Sequence, residues 1–261
     1  MREILIKGQL NKFGTFKEFA DEFCLGERDL IMTNEFIYKP FMEQLELTSQ
    51  IVFQEKFGAG EPSEEMLTDI FDELDPDSYD RIIAVGGGAI MDICKVLSLK
   101  RPSSVHDLYF KKFDVIPEKE LVAIPTTCGT GSEVTNISVA IVKDENGSTT
   151  KLGLVSDLLI PSSVCLIPEL LKTLPYKPFA SSAIDALIHA VESYLSPTRA
   201  TMTSELYGVK AMELILEGFR QIRDEGQDSR FNYLDEYVTA SCYAGIAFLQ
   251  AGCATVHAMS F

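Results

Sequence analysis

Residues 81–92 read Arg81-Ile82-Ile83-Ala84-Val85-Gly86-Gly87-Gly88-Ala89-Ile90-Met91-Asp92. Four consecutive apolar residues, three of them β-branched, form a strand with no polar face. Such a strand is buried on both sides, as in a parallel sheet covered by helices. Three glycines follow, and then a helical pattern runs over 89–99. Glycine at a strand-to-helix junction lets the backbone approach a ligand closely, and the helix beyond offers free N–H groups and a positive dipole end. The loop is therefore either a pyrophosphate cradle at Gly86, Gly87 and Gly88 or a tight turn without a ligand. It is not GxGxxG, and no Lys-Ser/Thr follows its last glycine as a Walker loop requires.

Working outward, the same alternation continues. Residues 30–33 and 51–53 read as strands, 40–47 and 62–74 as helices, and 121–124 as a further strong strand ending at Pro125. Strands alternating with helices predict an α/β domain with a parallel, Rossmann-like sheet. Prolines 161, 168, 175 and 178 then punctuate the chain, and beyond them 179–195, 200–223 and 232–248 all read as helices. The expected boundary lies near 178. Residues 1–178 are expected to form an α/β domain, and 179–261 an all-α one.

Composition narrows the function. The 261 residues carry a formal net charge of −16, which repels phosphate backbones and anionic lipid and argues against nucleic acid or a membrane as partner. An anionic substrate would be repelled at long range too, and would need a local cation. No apolar stretch reaches the roughly 18 residues of a membrane span, and no secretory h-region opens the chain, so a cytoplasmic protein is expected. Six cysteines without a CxxC pair read as buried thiols of a reducing compartment. His106, in a polar connection, reads as a surface residue.

Two further segments carry chemistry. Pro125-Thr126-Thr127-Cys128-Gly129-Thr130-Gly131-Ser132-Glu133-Val134-Thr135 follows a strong strand and is dense in hydroxyls and backbone donors. It suits a nucleotide's phosphates and ribose, or is a polar loop with local turns. Ligand loops at the C-terminal ends of two strands match where open α/β sheets bind nucleotides. Asp185 and His189 are four apart on an expected helix and share one face among small and apolar neighbours. A third candidate, His257, lies in another small, apolar segment. A mixed carboxylate and imidazole set suits a borderline divalent ion, Fe²⁺ or Zn²⁺. The alternative is an Asp–His hydrogen bond that orients a helix pair.

Together these segments resemble the iron-containing alcohol dehydrogenase family, in register along essentially the whole chain. Residues 86–92 are similar to its GGGSxxD loop and 125–135 to its PTTxGTGSEVT segment, and Asp185 and His189 match its DAxxHAxE motif. The resemblance implies a dehydroquinate synthase-like fold, with 1–178 as the dinucleotide-binding domain and 179–261 as the N-terminal part of an all-α metal-binding, catalytic domain. It implies NAD held by Asn34, Glu35, Gly86, Gly87, Gly88, Asp92, Thr126, Thr127, Thr130, Ser132, Thr135 and Lys151. It implies iron on Asp185, His189 and His257, the three residues it makes catalytic. It also implies a small alcohol or aldehyde substrate and a homo-oligomer, a dimer or larger. Residues 33–36, 176–179, 243–248 and 256–260 look most like the family's 4-hydroxybutyrate branch, which interconverts that alcohol and succinate semialdehyde. Butanol- and 1,3-propanediol-type branches are the alternatives. Departures exist: Ala89 replaces a serine, Ile167-Pro168 replaces Asp-Pro, and Phe261 stands where many members have a second histidine. The family's fourth ligand is a histidine about a dozen residues beyond His257, past Phe261. The chain is thus expected to be a fragment, which leaves an inactive nucleotide-binding module as a further alternative.

Overall fold

The structure, a computed structural model, describes residues 3–144 and 147–252. Five strands alternate with helices through the first half: β1 (Gln9–Lys12), α1 (Phe16–Glu22), β2 (Asp29–Thr33), α2 (Glu35–Phe41), β3 (Gln50–Phe53), α3 (Glu64–Glu73), β4 (Arg81–Gly86), α4 (Gly88–Leu97), α5 (Val105–Tyr109) and β5 (Glu120–Pro125). A two-stranded antiparallel hairpin, β6 (Ile137–Lys143) and β7 (Thr149–Val155), precedes β8 (Ser163–Leu166). Three long helices end the described chain: α6 (Tyr176–Tyr194), α7 (Met202–Glu225) and α8 (Leu234–Ala251).

β1, β8, β5, β4, β2 and β3 form one parallel sheet in that order. The middle of each central strand is apolar without a break because successive residues enter different cores. Leu30, Met32, Ile82, Ala84, Leu121 and Ala123 face α3, α4 and α5. Ile31, Ile83, Val85, Val122 and Ile124 face α1 and α2. Burial on both sides is why these runs lack the polar alternation of a half-exposed strand. α6, α7 and α8 pack on one another around a third core that includes Val164 and Leu166 of β8.

Four local expectations change. The helix expected at 40–47 is α2 at Glu35–Phe41, followed by a 3₁₀ turn at Glu43–Leu45. Pro40 sits near the end of α2 instead of opening a helix, and the Glu35–Lys39 ion pair at 2.7 Å supports the earlier start. The hairpin, β1 and β8 were not anticipated. Of the described cysteines Cys24 is exposed, while Cys94, Cys128, Cys165 and Cys242 are buried. His106 is half-buried on α5, with Nδ1 3.2 Å from Glu64 Oε2 and its ring against Phe110.

Candidate active site

The two loops meet. The Thr126 N–H donates to Gly86 O at 3.0 Å and ties the C-terminal ends of β4 and β5 together. Gly87 caps α4, whose first-turn N–H groups lack intrahelical partners. A Cβ on Gly88 would lie 2.8 Å from Thr130 Cγ2, so the absence of a side chain there is what lets the loops touch. Thr130 is exposed and Thr127 half-buried beside the glycines, whereas Thr126 is buried.

Asp92, Ser132 and Thr135 lie behind this surface in a polar network around Lys95. The Lys95 side chain is fully buried. Its ammonium donates to Ser132 Oγ at 2.7 Å, Thr135 Oγ1 at 3.1 Å and Ile137 O at 2.7 Å. The Ser132 hydroxyl donates to Asp92 Oδ1 at 2.7 Å, and the Val139 N–H donates to Asp92 Oδ2 at 3.0 Å. Burial brings Lys95 down to about 8, opposed by the charges of Asp92 and Glu133. Burial likewise pushes Asp92 up and Glu133 up to about 7. Sequence reasoning missed Lys95, because a lysine within a helix pattern reads as a solvent-facing residue. The one available signal was its i+3 spacing from Asp92 in an otherwise apolar helix.

At the rim, Thr33 pairs in register with Phe53, so the segments after β2 and β3 lie side by side. Asn34 Nδ2 donates to Gln54 Oε1 at 3.3 Å, and Glu55 Oε1 accepts the Glu35 N–H at 3.1 Å. Gln54 Nε2 donates to Gly60 O, and the neighbouring Glu61 meets Lys151 Nζ at 2.7 Å. Lys151 on β7 is thereby linked through one polar chain to the Asn34 end of the sheet.

The carboxylate–histidine pair sits on α6. His189 Nδ1 and Asp185 Oδ2 are 3.9 Å apart; His189 is buried with its ring against Phe248 of α8, and Asp185 is half-buried. A carboxylate oxygen and an imidazole nitrogen on one helix face form a donor set that fits a divalent ion. Among the described residues no cluster of three metal-ligating side chains occurs. His257 lies outside the described residues. The second loop reaches this helix: a Cβ on Gly129 would lie 2.8 Å from Ser182 Cβ, and Cys128 Sγ is 3.4 Å from Ser182 Oγ. Ser182 precedes Asp185 by three residues, about 4.5 Å along the helix axis. Burial pushes the Cys128 thiol up to about 11, so it offers no thiolate at neutral pH.

A family model for iron-containing alcohol dehydrogenases matches residues 9–168, and one for the C-terminal part of that family matches residues 179–261. The chain belongs to the iron-containing alcohol dehydrogenase family. It is similar to the 4-hydroxybutyrate dehydrogenase of Clostridium kluyveri, with 48% identity over all 261 residues and 69% of that protein's length. It is 34% identical to the sulfoacetaldehyde reductase of Bilophila wadsworthia, over 97% of this chain and 66% of that one. Its fold matches a crystal structure of sulfoacetaldehyde reductase from Bifidobacterium kashiwanohense in complex with NAD⁺, at a TM-score of 0.84 and 22% identity. That match covers all of this chain and 70% of that one. As a family member the chain is an alcohol oxidoreductase of an iron-containing family. No described helix is long and apolar enough to cross a membrane.

Proposed function

We propose that this chain carries the NAD-linked interconversion of 4-hydroxybutyrate and succinate semialdehyde. The observation that carries the reading is the seat of the 125–135 loop on α6 at Ser182, about one turn before Asp185 and about two before His189. One short loop thus adjoins both the glycine cradle and the metal-type pair, the adjacency that hydride transfer requires. The choice of substrate rests on the likeness to the C. kluyveri enzyme along the whole chain.

Bound iron supplies Lewis acidity toward the alcohol oxygen, and NAD supplies the hydride acceptor. The chain's own residues do the rest. Asp185 and His189 would hold the metal, with His257 as third ligand, and the contact between His189 and Phe248 fixes the imidazole plane. Gly86, Gly87 and Gly88 present backbone to the pyrophosphate, with Thr127 and Thr130 beside them. Asp92, Thr126, Ser132 and Thr135 shape this surface from beneath. Asn34, Glu35 and Lys151 stand at the ribose-bearing rim, where the carboxylates of Glu35, Glu55 and Glu61 disfavour a 2′-phosphate and favour NAD over NADP. A domain division near residue 178 places the nucleotide loops in one part and the metal pair in the other. The protein acts in the cytoplasm as a homo-oligomer, a dimer or larger, which sedimentation velocity tests.

The deciding experiment is NADH formation from 4-hydroxybutyrate after anaerobic loading with Fe²⁺, run beside 1-butanol and 1,3-propanediol. Preference for 4-hydroxybutyrate supports the assignment. Preference for a neutral alcohol overturns the substrate and leaves the metal and nucleotide readings intact. NADH binding without turnover of any alcohol favours a nucleotide-binding module.

A further inference from the structure

We propose that Lys95 is a positioning residue of the nucleotide site: its buried ammonium group holds the 126–135 loop in the shape that meets the cofactor. The inference rests on the nucleotide reading above and goes beyond it, since Lys95 is not among the residues expected to meet the cofactor and acts through Ser132 and Thr135.

A lysine ammonium has three hydrogens, and all three are used within one stretch of chain, on Ser132 Oγ, Thr135 Oγ1 and Ile137 O. These acceptors span the inner end of the loop and its passage into β6. The donor stands on α4, the helix that begins at the glycine cradle. Asp92, one turn earlier on the same helix, completes the frame. It accepts from the Ser132 hydroxyl and the Val139 N–H, and its backbone oxygen accepts from the Ser138 hydroxyl at 2.9 Å. The loop's outer end is fixed separately by the Thr126 N–H on Gly86 O. Between the two anchors lie Thr127 and Thr130, facing the glycines.

The charged groups around the ammonium are Asp92 on its own helix and Glu133 on a 3₁₀ turn at Ser132–Val134, with the Tyr109 hydroxyl of α5 reaching the frame through Ser138 at 2.8 Å. Burying a cation is costly unless it is paired and its hydrogen bonds are complete. Here both conditions hold, and the loop supplies most of the partners. Loop shape and cation burial are therefore coupled: if the loop relaxes, the ammonium loses its acceptors. A uniform core contact would lack this coupling.

The test measures NADH affinity by nucleotide fluorescence and melting temperature by calorimetry for the full chain and for Lys95→Met, Ser132→Ala, Thr135→Val and Ile215→Val. Ile215 is a fully buried residue of the helical core, away from the loops. Lys95→Met is expected to weaken NADH binding by about tenfold or more, the scale of one charged hydrogen bond. Ser132→Ala and Thr135→Val fall between it and the parent chain. Ile215→Val lowers the melting temperature and leaves NADH affinity unchanged, which separates positioning from general destabilisation. A folded Lys95→Met that binds NADH within about twofold of the parent overturns the proposal. Should Lys95→Met fail to fold, unchanged affinity in both Ser132→Ala and Thr135→Val overturns it equally. A parent chain that binds no NADH overturns the nucleotide reading itself, and this inference with it.

Discussion

At the scale of single residues, Glu133 is a carboxyl group in a place that disfavours its charge. It is 1% exposed, and its Oε1 has no hydrogen-bond partner among the described residues. Burial raises it from 4.5 to about 7, against the opposing pull of a backbone N–H and Lys95. Between those two values the folded chain keeps a proton that the unfolded chain has released. The group's contribution to stability is therefore full below pH 4.5 and is lost as pH rises through about 7. Lys95 acts in a higher window: its lowered value makes its contribution rise from about pH 8 toward 10.5. Burial raises Asp92 as well, so urea unfolding at pH 5 and at pH 7.5 isolates Glu133 by comparison of the parent chain with Glu133→Gln. We expect the parent chain to lose on the order of 2 kcal/mol of this group's contribution between those conditions. Glu133→Gln should remove that loss, and an equal slope in both proteins would show that the group does not titrate there. Asp185 and His189 make a second prediction at this scale. Asp185→Asn and His189→Ala should each weaken Fe²⁺ binding at least about tenfold and abolish turnover, with NADH affinity unchanged. Isothermal titration with the metal and with NADH reads both, and unchanged metal affinity would leave the pair a contact within α6 only.

At the scale of elements, the second loop is a keystone between sheet and helices, and its seat on α8 is backbone against backbone. Gly131 has φ +60°, and a Cβ there would lie 2.5 Å from Gly245 Cα. A Cβ on Gly245 would lie 2.7 Å from Gly131 O. Neither contact can be relieved by turning a side chain. Gly245→Ala should cost about 1–3 kcal/mol, as overpacking does, and should weaken NADH binding by shifting the loop. Calorimetry and fluorescence together check it, and a stability loss without any change in affinity would confine the contact to packing. The sequence made much of this legible, and the limits have physical causes. β2, β3, β4 and β5 are visible as apolar runs because both faces of the sheet are covered. The three long helices are visible because their helix-periodic runs are long and no strand-like run competes with them after residue 178. The hairpin was hidden because β6 alternates only between buried and half-buried residues, Ile137 to Val142, with no exposed polar face to mark the period of two. α2 was misplaced because Pro40 resembles a helix start while serving near a helix end. At the site, glycines, hydroxyls and the Asp185–His189 spacing could be read directly. Lys95 and the Glu61–Lys151 link could not, since each depends on where the hairpin docks: Ile141 N–H on Pro62 O, and Val139 N–H on Asp92.

At the scale of the whole molecule, charge governs how a substrate arrives. The chain carries 39 acidic against 23 basic side chains, a formal net charge of −16. A carboxylate substrate must approach against this field, whereas a neutral alcohol feels little of it. The field reaches roughly 30 Å at 0.01 M salt and about 10 Å at 0.1 M. Raising the salt over that range should therefore increase kcat/KM for 4-hydroxybutyrate by about threefold, while kcat/KM for 1-butanol stays level. NAD is itself anionic, so the measurement needs saturating cofactor to leave the substrate's approach as the only varying step. The opposite slope, a fall with salt for the carboxylate alone, would mean that local cations outweigh the global charge at the cleft. If both alcohols respond alike to salt, electrostatic selection plays no part in recognising the substrate.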